Sequence, residues 1–344
     1  MLPKLRFAAV GLNHGHIYMQ VDRIAASGGE LVAFHAAEDD LAAEFAQRYP
    51  HARRASTPAA IYEDNGIALV LTAAVPSERA GVAIEAMRHG KDVMTDKPGI
   101  TSFEQLAALR QVQAETGRIF SIYYEERFEN PATLRANELV RAGAIGDFVH
   151  LIGLGPHLLR KPTRPGWFFE RARYGGIITD LASHQCDQFL YLAGSGDDVQ
   201  VVAANVANRA NPETPELQDV GEAMLRSSRA TGYFRVDWFT PAGLPVFGDC
   251  RLLIVGAEGT IEVRKYIDLG QAEVQSALLL CDRRGVRAVD FADAEPQYGH
   301  QLVADILDRT ETAMTQAHCF RAMELALEAQ ALAEQGRVSH QANG

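Results

Sequence analysis

The amino-acid sequence predicts an α/β protein: an N-terminal doubly wound parallel sheet, then an α+β domain carrying a large, mostly antiparallel open sheet. Three observations carry this. Between residues 5 and 124, short β-rich runs alternate with longer helical ones, the rhythm of a parallel sheet covered on both faces. After about residue 125 the rhythm changes to closely spaced strands without crossover helices, which pair antiparallel. A chain of 344 residues, 47% of them apolar, is long enough for two packed cores.

In the first part the expected strands are 5–12, 31–36, 67–74, 92–97 and 118–123. They are apolar on successive residues, as in Phe7-Ala8-Ala9-Val10 and Ala68-Leu69-Val70-Leu71, so both faces of each strand are buried. Segments 17–27, 41–49, 77–89 and 102–116 carry helical spacing between them, and Gly28-Gly29, Gly90 and Gly117 supply stops. In the second part helices are expected at 131–142 and 176–193, followed by strands at 199–208, 220–226, 231–239, 252–255, 260–266 and 277–281. A last helical stretch, 301–335, is rich in Ala and Glu. The expected division is 1–125, 126–300 and 301–344, with the last part packing back on the other two.

Composition excludes several classes. Charged residues make up 22%, which suits a soluble globular chain rather than a fibre or a disordered one. The net charge of −11, from 44 acids against 33 Lys and Arg, repels phosphate backbones and anionic lipids, so neither nucleic acid nor a membrane is an expected partner. No apolar run approaches the roughly 20 residues of a bilayer span. Met1-Leu2-Pro3-Lys4 leads into a strand without the pattern of a cleavable leader, and a cytoplasmic location is expected. Cys186, Cys250, Cys281 and Cys319 form no C-x-x-C pair and are expected to be buried thiols.

Several segments can carry chemistry. Val10-Gly11-Leu12-Asn13-His14-Gly15-His16 joins the first strand to a helix, where a glycine turn lets backbone N–H groups and the helix dipole face a pyrophosphate. The match to G-x-G-x-x-G is partial: Asn13 stands at the second glycine and His16 at the third, although Asn tolerates left-handed dihedrals. The segment is either a dinucleotide site or a tight turn that binds nothing. His14-x-His16 has metal-ligand character, but no carboxylate or cysteine cluster is placed in the sequence to complete a site, so no metal is expected. Where a ribose-binding acid would end the second strand, the chain reads Phe34-His35-Ala36-Ala37-Glu38. Glu38 either reaches a ribose or, with Asp39 and Asp40, opens the next helix. No Arg or Lys follows closely to hold a 2′-phosphate, which leans the cofactor to NAD over NADP.

Further along, Thr95-Asp96-Lys97-Pro98-Gly99 puts Lys97 at the carboxyl edge of the parallel sheet, with Pro98 holding its backbone extended. An ammonium there can polarise a hydroxyl or carbonyl oxygen, whereas a lone Lys-Pro is commonly a surface turn. After Gly175-Gly176, Asp180 and His184 stand four residues apart on a helix, so the carboxylate can orient the imidazole for proton abstraction; the alternative is a surface ion pair. The paired glycines allow a ligand to approach closely. Segment 157–173 holds five Lys or Arg against one acid in an acidic chain. Within it His157, Arg160, Arg164 and Trp167 are candidate substrate contacts, the cations for a carboxylate or phosphate and Trp167 for a nicotinamide or sugar face. A solvated loop or a subunit contact is the other reading.

In combination, Gly11, Asp96-Lys97-Pro98, and Gly175-Gly176 with Asp180 and His184 resemble the Gfo/Idh/MocA family, the glucose-fructose oxidoreductase and inositol dehydrogenase group. The resemblance spans nearly the whole chain, including Gly143-Ala144-Ile145-Gly146-Asp147 and Gly256-Ala257-Glu258-Gly259-Thr260-Ile261-Glu262-Val263. Asp96-Lys97-Pro98 is similar to the family's E-K-P motif. The resemblance implies a Rossmann domain at 1–125, a substrate and oligomerisation domain at 126–300, and Lys97, Asp180 and His184 as catalytic residues that also touch substrate. Arg127-Phe128 looks like the family's R-F element, which implies Arg127 beside cofactor and substrate. Gly11, Asn13, His14, Gly15 and His16 are then expected to hold the pyrophosphate. Glu38, Thr72, Ala73, Pro76, Asp96, Lys97 and Trp167 are expected to flank the cofactor.

The implied activity is NAD(P)-dependent hydride transfer between nicotinamide and a hydroxyl-bearing carbon of a sugar, polyol or sugar acid. The alternatives are a redox-assisted glycoside hydrolase or lyase that retains NAD, and a dinucleotide-binding sensor without turnover. The open sheet would leave one face uncovered, so a homodimer or homotetramer is expected.

Overall fold

In a computed structural model, residues 5–341 are described except 195–197 and 272. Met1–Lys4, on which the leader expectation rests, lie outside the described residues. The chain divides into two units, Met1–Tyr123 with Gln297–Phe320, and Tyr124–Pro296 with Arg321–Gly344.

In the first unit β1 (Arg6–Val10), β2 (Glu30–His35), β3 (Arg53–Arg54), β4 (Leu69–Thr72), β5 (Asp92–Asp96) and β6 (Phe120–Tyr123) form one parallel sheet. Its order is β3-β2-β1-β4-β5-β6. The order reverses between β1 and β4, and the carboxyl ends of strands at such a reversal are where open α/β sheets bind ligands. Phe7, Ala8 and Ala9 are wholly buried, as the double-sided apolar run requires. The helix His16–Ala26 buries Ile17, Val21 and Ile24, one face at helical spacing. Ser102 caps the helix Phe103–Thr116 by accepting from the Gln105 N–H, and Gly117 ends it with φ +61°. β3 was not expected: two exposed arginines give no strand signal in sequence.

The second unit holds β7 (Phe148–Pro156), β8 (Gln200–Ala207), β9 (Val220–Arg226), β10 (Thr231–Asp237), β11 (Arg251–Gly256), β12 (Thr260–Arg264), β13 (Ala277–Asp282) and β14 (Gly285–Ala288). They lie in the order β14-β13-β12-β11-β7-β10-β9-β8. All pairs are antiparallel except β7 with β10. Side chains alternate, with Leu151, Phe234, Ala223, Leu252, Ile254, Ile261 and Leu280 on the buried face. The helices Pro131–Arg141 and Ser183–Ala193 pack against the sheet. In β7, Gly153 and Gly155 face the Gln185 side chain, which occupies the space a Cβ would need.

The expected helix 176–193 is in two pieces, a π-helical turn Ile178–Ala182 and then Ser183–Ala193. Three cysteines are buried as expected, but Cys281 is exposed because it falls on an outward position of β13. Among the described residues no helix is long and apolar enough to cross a membrane.

Candidate active site

In the first unit the chain turns at Gly11, with φ +77°. An added Cβ there would lie 2.5 Å from the Ala74 Cβ, so both the dihedral and the space demand glycine. The Gly11 N–H donates to His35 O at 3.0 Å and the His14 N–H to Ala73 O at 2.9 Å, which pins the loop to the ends of β2 and β4. Ala73 returns its N–H to Gly11 O. Thr72, Ala73 and Pro76 are buried, and Ala73 is bonded to the loop through both its N–H and its carbonyl. Gly15 has an ordinary φ of −62° with open space around it, so the turn does not depend on it.

Asn13 Nδ2 donates to Glu38 Oε1 at 2.8 Å, bringing Glu38, the exposed residue that precedes the helix Asp39–Arg48, onto the glycine loop. Beside it a pocket of about 480 Å³ is lined by His35, Ala36, Ala37, Arg54, Ala55 and Ser56. Arg54 is the cation that no sequence neighbour of Glu38 supplied; β3 delivers it. Its guanidinium donates to Asp39 Oδ1 at 2.6 Å and to Ala36 O at 3.4 Å.

Asp96 ends β5 and is wholly buried. His16 Nδ1 lies 2.9 Å from its Oδ1, while His14 Nδ1 and Arg79 Nη2 each lie 3.0 Å from its Oδ2. Arg79 is buried too, and donates to the carbonyls of Ala74, Lys97 and Pro98. Burial alone would raise the Asp96 pKa, but Arg79 and the two imidazoles outweigh it and hold the carboxyl well below its usual range. Burial, and then the neighbouring His16, push His14 down to about 4 against the pull of Asp96. The enclosed Asp96 side chain ties the glycine loop to β5. It is also the carboxylate that the sequence did not offer to His14-x-His16. Lys97 follows it, 6% exposed, with its carbonyl held by Arg79.

In the second unit His184 is wholly buried in the first turn of the helix Ser183–Ala193. Neither ring nitrogen makes a hydrogen bond, and Glu125 Oε1 lies 3.2 Å from Nε2. The ring therefore makes no hydrogen bond to Asp180. Asp180 lies in the π turn that precedes the helix of His184, so the α-helical spacing does not apply, and its charge is also felt by Arg164 and Tyr174. The paired glycines also differ from expectation. Both have φ +90°, and the space at Gly176 is filled by Gln330, whose Oε1 accepts the Ile178 N–H at 3.0 Å. A side chain of the C-terminal helix, not a ligand, makes the close approach.

Arg127 is likewise occupied inside its own unit. It donates from Nε and Nη2 to Asp187 at 2.6 and 2.7 Å and lies over Phe128 and Tyr191, at 6% exposure. Its two donors Nε and Nη2 are taken by this internal pair. Next to it Glu126 is ion-paired with buried Lys265 and accepts from Gln185 and Gln188 at 3.3 and 3.2 Å. Burial would raise the Glu126 pKa, yet Lys265, and then His184 and His157, bring it down to about 2. Sequence reasoning missed Glu125, Glu126, Lys265 and Asp187; the acidic pair directly before Arg127 was the one local signal.

The basic segment 157–173 packs on aromatic rings. His157 bonds Gly155 O through Nδ1 at 3.0 Å and meets Trp238 and Phe247 edge-on. Arg164 lies over Phe168 and Trp238 at 4.3 and 5.1 Å, donates from Nε to Leu159 O, and has a buried Nη2 without a hydrogen bond. Arg160 lies over Phe247, and Trp167 is half-buried beside Phe168. Lys161 and Arg171 are paired with Glu213 and Glu334.

A glycine turn at the reversal point of a doubly wound sheet, joined to a unit that buries imidazole, carboxylate and ammonium together, defines a two-domain dinucleotide-dependent enzyme. Residues 5–124 match the oxidoreductase family with an NAD-binding Rossmann fold, and residues 133–262 match the GFO/IDH/MocA C-terminal domain. The chain belongs to the Gfo/Idh/MocA family and is an NAD(P)-dependent oxidoreductase. It is 26% identical to scyllo-inositol 2-dehydrogenase (NAD(+)) of Bacillus subtilis (strain 168), over 75% of this chain and 73% of that one. It is 27% identical to levoglucosan dehydrogenase of Pseudarthrobacter phenanthrenivorans, over 88% of this chain and 80% of that one. A solved structure of a candidate oxidoreductase from Erwinia carotovora atroseptica SCRI1043 superposes with a TM-score of 0.93 at 41% identity, covering 96% of this chain and 99% of that one.

Proposed function

We propose that the protein transfers hydride between nicotinamide and a hydroxyl-bearing carbon of a sugar, polyol or sugar acid. The observation that carries the reading is the Gly11 turn: its dihedral and its contact with Ala74 leave no side chain at the reversal point, so that a diphosphate can approach the backbone and the start of the following helix closely. These residues fit the cofactor, which supplies the hydride acceptor when bound. In the oxidative direction Lys97 stabilises the substrate oxygen and His184 takes the hydroxyl proton. Glu125, at 3.2 Å, is the positioning residue for His184, and Asp180 acts beside it by its match to the family's aspartate and histidine pair. NAD is favoured over NADP because Asp39 already engages Arg54, the cation best placed for a 2′-phosphate. The relatives named for inositol and levoglucosan oxidation support polyols and sugars as the substrate class.

The test is a titration with NADH and NADPH followed by nicotinamide fluorescence, then a screen of polyols, sugars and sugar acids. Reduced cofactor that accumulates with substrate supports the dehydrogenase. Turnover without net reduction points to the redox-assisted hydrolase, and binding without turnover to the sensor. The buried, unbonded Nη2 of Arg164 favours an anionic group within the substrate class. Arg164→Ala and Arg160→Ala are expected to impair sugar acids about tenfold more than neutral polyols, one charged hydrogen bond's worth in kcat/KM. Equal losses would remove sugar acids from the class.

A further inference from the structure

We infer that His14, His16 and Asp96 form a binding site for one divalent transition-metal ion of the zinc class. The two Nδ1 atoms and a carboxylate oxygen all lie within 4.8 Å of one another. The imidazole rings stand edge to face at 86°, centroids 4.2 Å apart, so that both nitrogens converge on the same carboxylate.

The arrangement lacks something in its middle. Asp96 Oδ2 is buried and makes no hydrogen bond, although His14 Nδ1 and Arg79 Nη2 are each 3.0 Å away. His14 Nδ1 lies within reach of both the His16 backbone N–H, at 3.4 Å, and Oδ2, and its one in-plane position holds either a proton or a lone pair. As a lone pair, the state a metal ligand requires, it meets the carboxylate oxygen with no hydrogen between them, and the two acceptors repel. A cation shared by both reverses the sign of that interaction.

Arg79 does not fill this role. The carbonyls of Ala74, Lys97 and Pro98 anchor it, and it holds the carboxylate from the protein side, as the outer partner of a ligating carboxylate does. Two imidazoles and one carboxylate suit Zn²⁺, Co²⁺ or Ni²⁺ rather than Mg²⁺ or Ca²⁺, which prefer oxygen. Three protein ligands leave a coordination position open. His14 and His16 belong to the glycine loop and Asp96 to β5, so an ion here would brace the dinucleotide loop against the strand that carries Lys97. The inference does not depend on the hydride-transfer reading.

The full-length protein, stripped with chelator and dialysed, is titrated with ZnCl₂ by calorimetry and with CoCl₂ by visible absorption. One equivalent should bind, with cobalt ligand-field bands. His14→Ala and His16→Ala, at part-exposed loop positions, should keep the wild-type circular dichroism and weaken binding by roughly tenfold or more. Failure to bind one equivalent, or the same affinity in both variants, overturns the site and leaves a histidine pair hydrogen-bonded to a buried aspartate. NADH titration of the chelated protein tests the dinucleotide loop separately.

Discussion

His14 makes the protein's acid response readable at a single residue. Its imidazole titrates at 6.5 when unfolded and at about 4 when folded, depressed by burial and then by His16. Between those values the unfolded chain binds more protons, so stability falls as pH drops from 6.5 towards 4 and levels off below. Asp96 acts in the next window down: its depressed pKa contributes stability above the usual carboxylate range, lost as pH falls further. Urea denaturation in chelator should show His14→Asn flattening the upper window by roughly 1–3 kcal/mol while the lower one persists. The Glu126–Lys265 pair makes a second case. Lys265→Met leaves a buried carboxylate without its cation and should cost about 3–5 kcal/mol, and adding Glu126→Gln should recover part of that in the same denaturation assay.

At the scale of elements the glycine loop separates what spacing shows from what folding decides. Gly11→Ala puts a side chain at φ +77° and 2.5 Å from Ala74, a strain of about 1–2 kcal/mol before the clash, and should weaken NADH binding about tenfold or more by fluorescence titration. Gly15→Ala, at φ −62° with nothing within 4 Å, should leave binding unchanged. A fingerprint alone would not distinguish them. The central strands of the parallel sheet were legible because burial on both faces leaves continuous apolar runs, and β3 was not, because Arg53-Arg54 pairs through backbone only. The single helix expected to carry Asp180 and His184 was not legible as two pieces, because periodicity cannot show a π turn. Asp96 with His14, Arg127 with Asp187, Glu126 with Lys265 and Gly176 with Gln330 are contacts between distant segments, and local spacing carries no trace of them.

For the molecule as a whole the open question is what covers the second unit's sheet. Its outer face carries one row in register across six strands: Leu279, Glu262, Leu253, Ile152, Tyr233 and Met224. The next row is charged, with Arg264, Arg251, Leu154, Arg235 and Glu222. Its Arg264 bonds Glu262 in the first row, and Glu222 accepts from Tyr233, so local partners already satisfy part of the charge and leave the apolar centre available. Met224 in that row is 42% exposed. A two-fold axis through such a face would set each row against its own copy, burying the apolar row and rimming it with paired charges. We therefore expect a homodimer, or a tetramer built from it, through this sheet. Leu253→Arg, at the centre of the row, should shift the protein to monomer in light scattering with its unfolding transition intact, because an unpaired guanidinium in a dry interface costs far more than on a free surface. Val286→Arg, on the outermost strand at 72% exposure, should leave the assembly unchanged. A wild-type protein that is monomeric at micromolar concentration would show that the face is solvated as it stands.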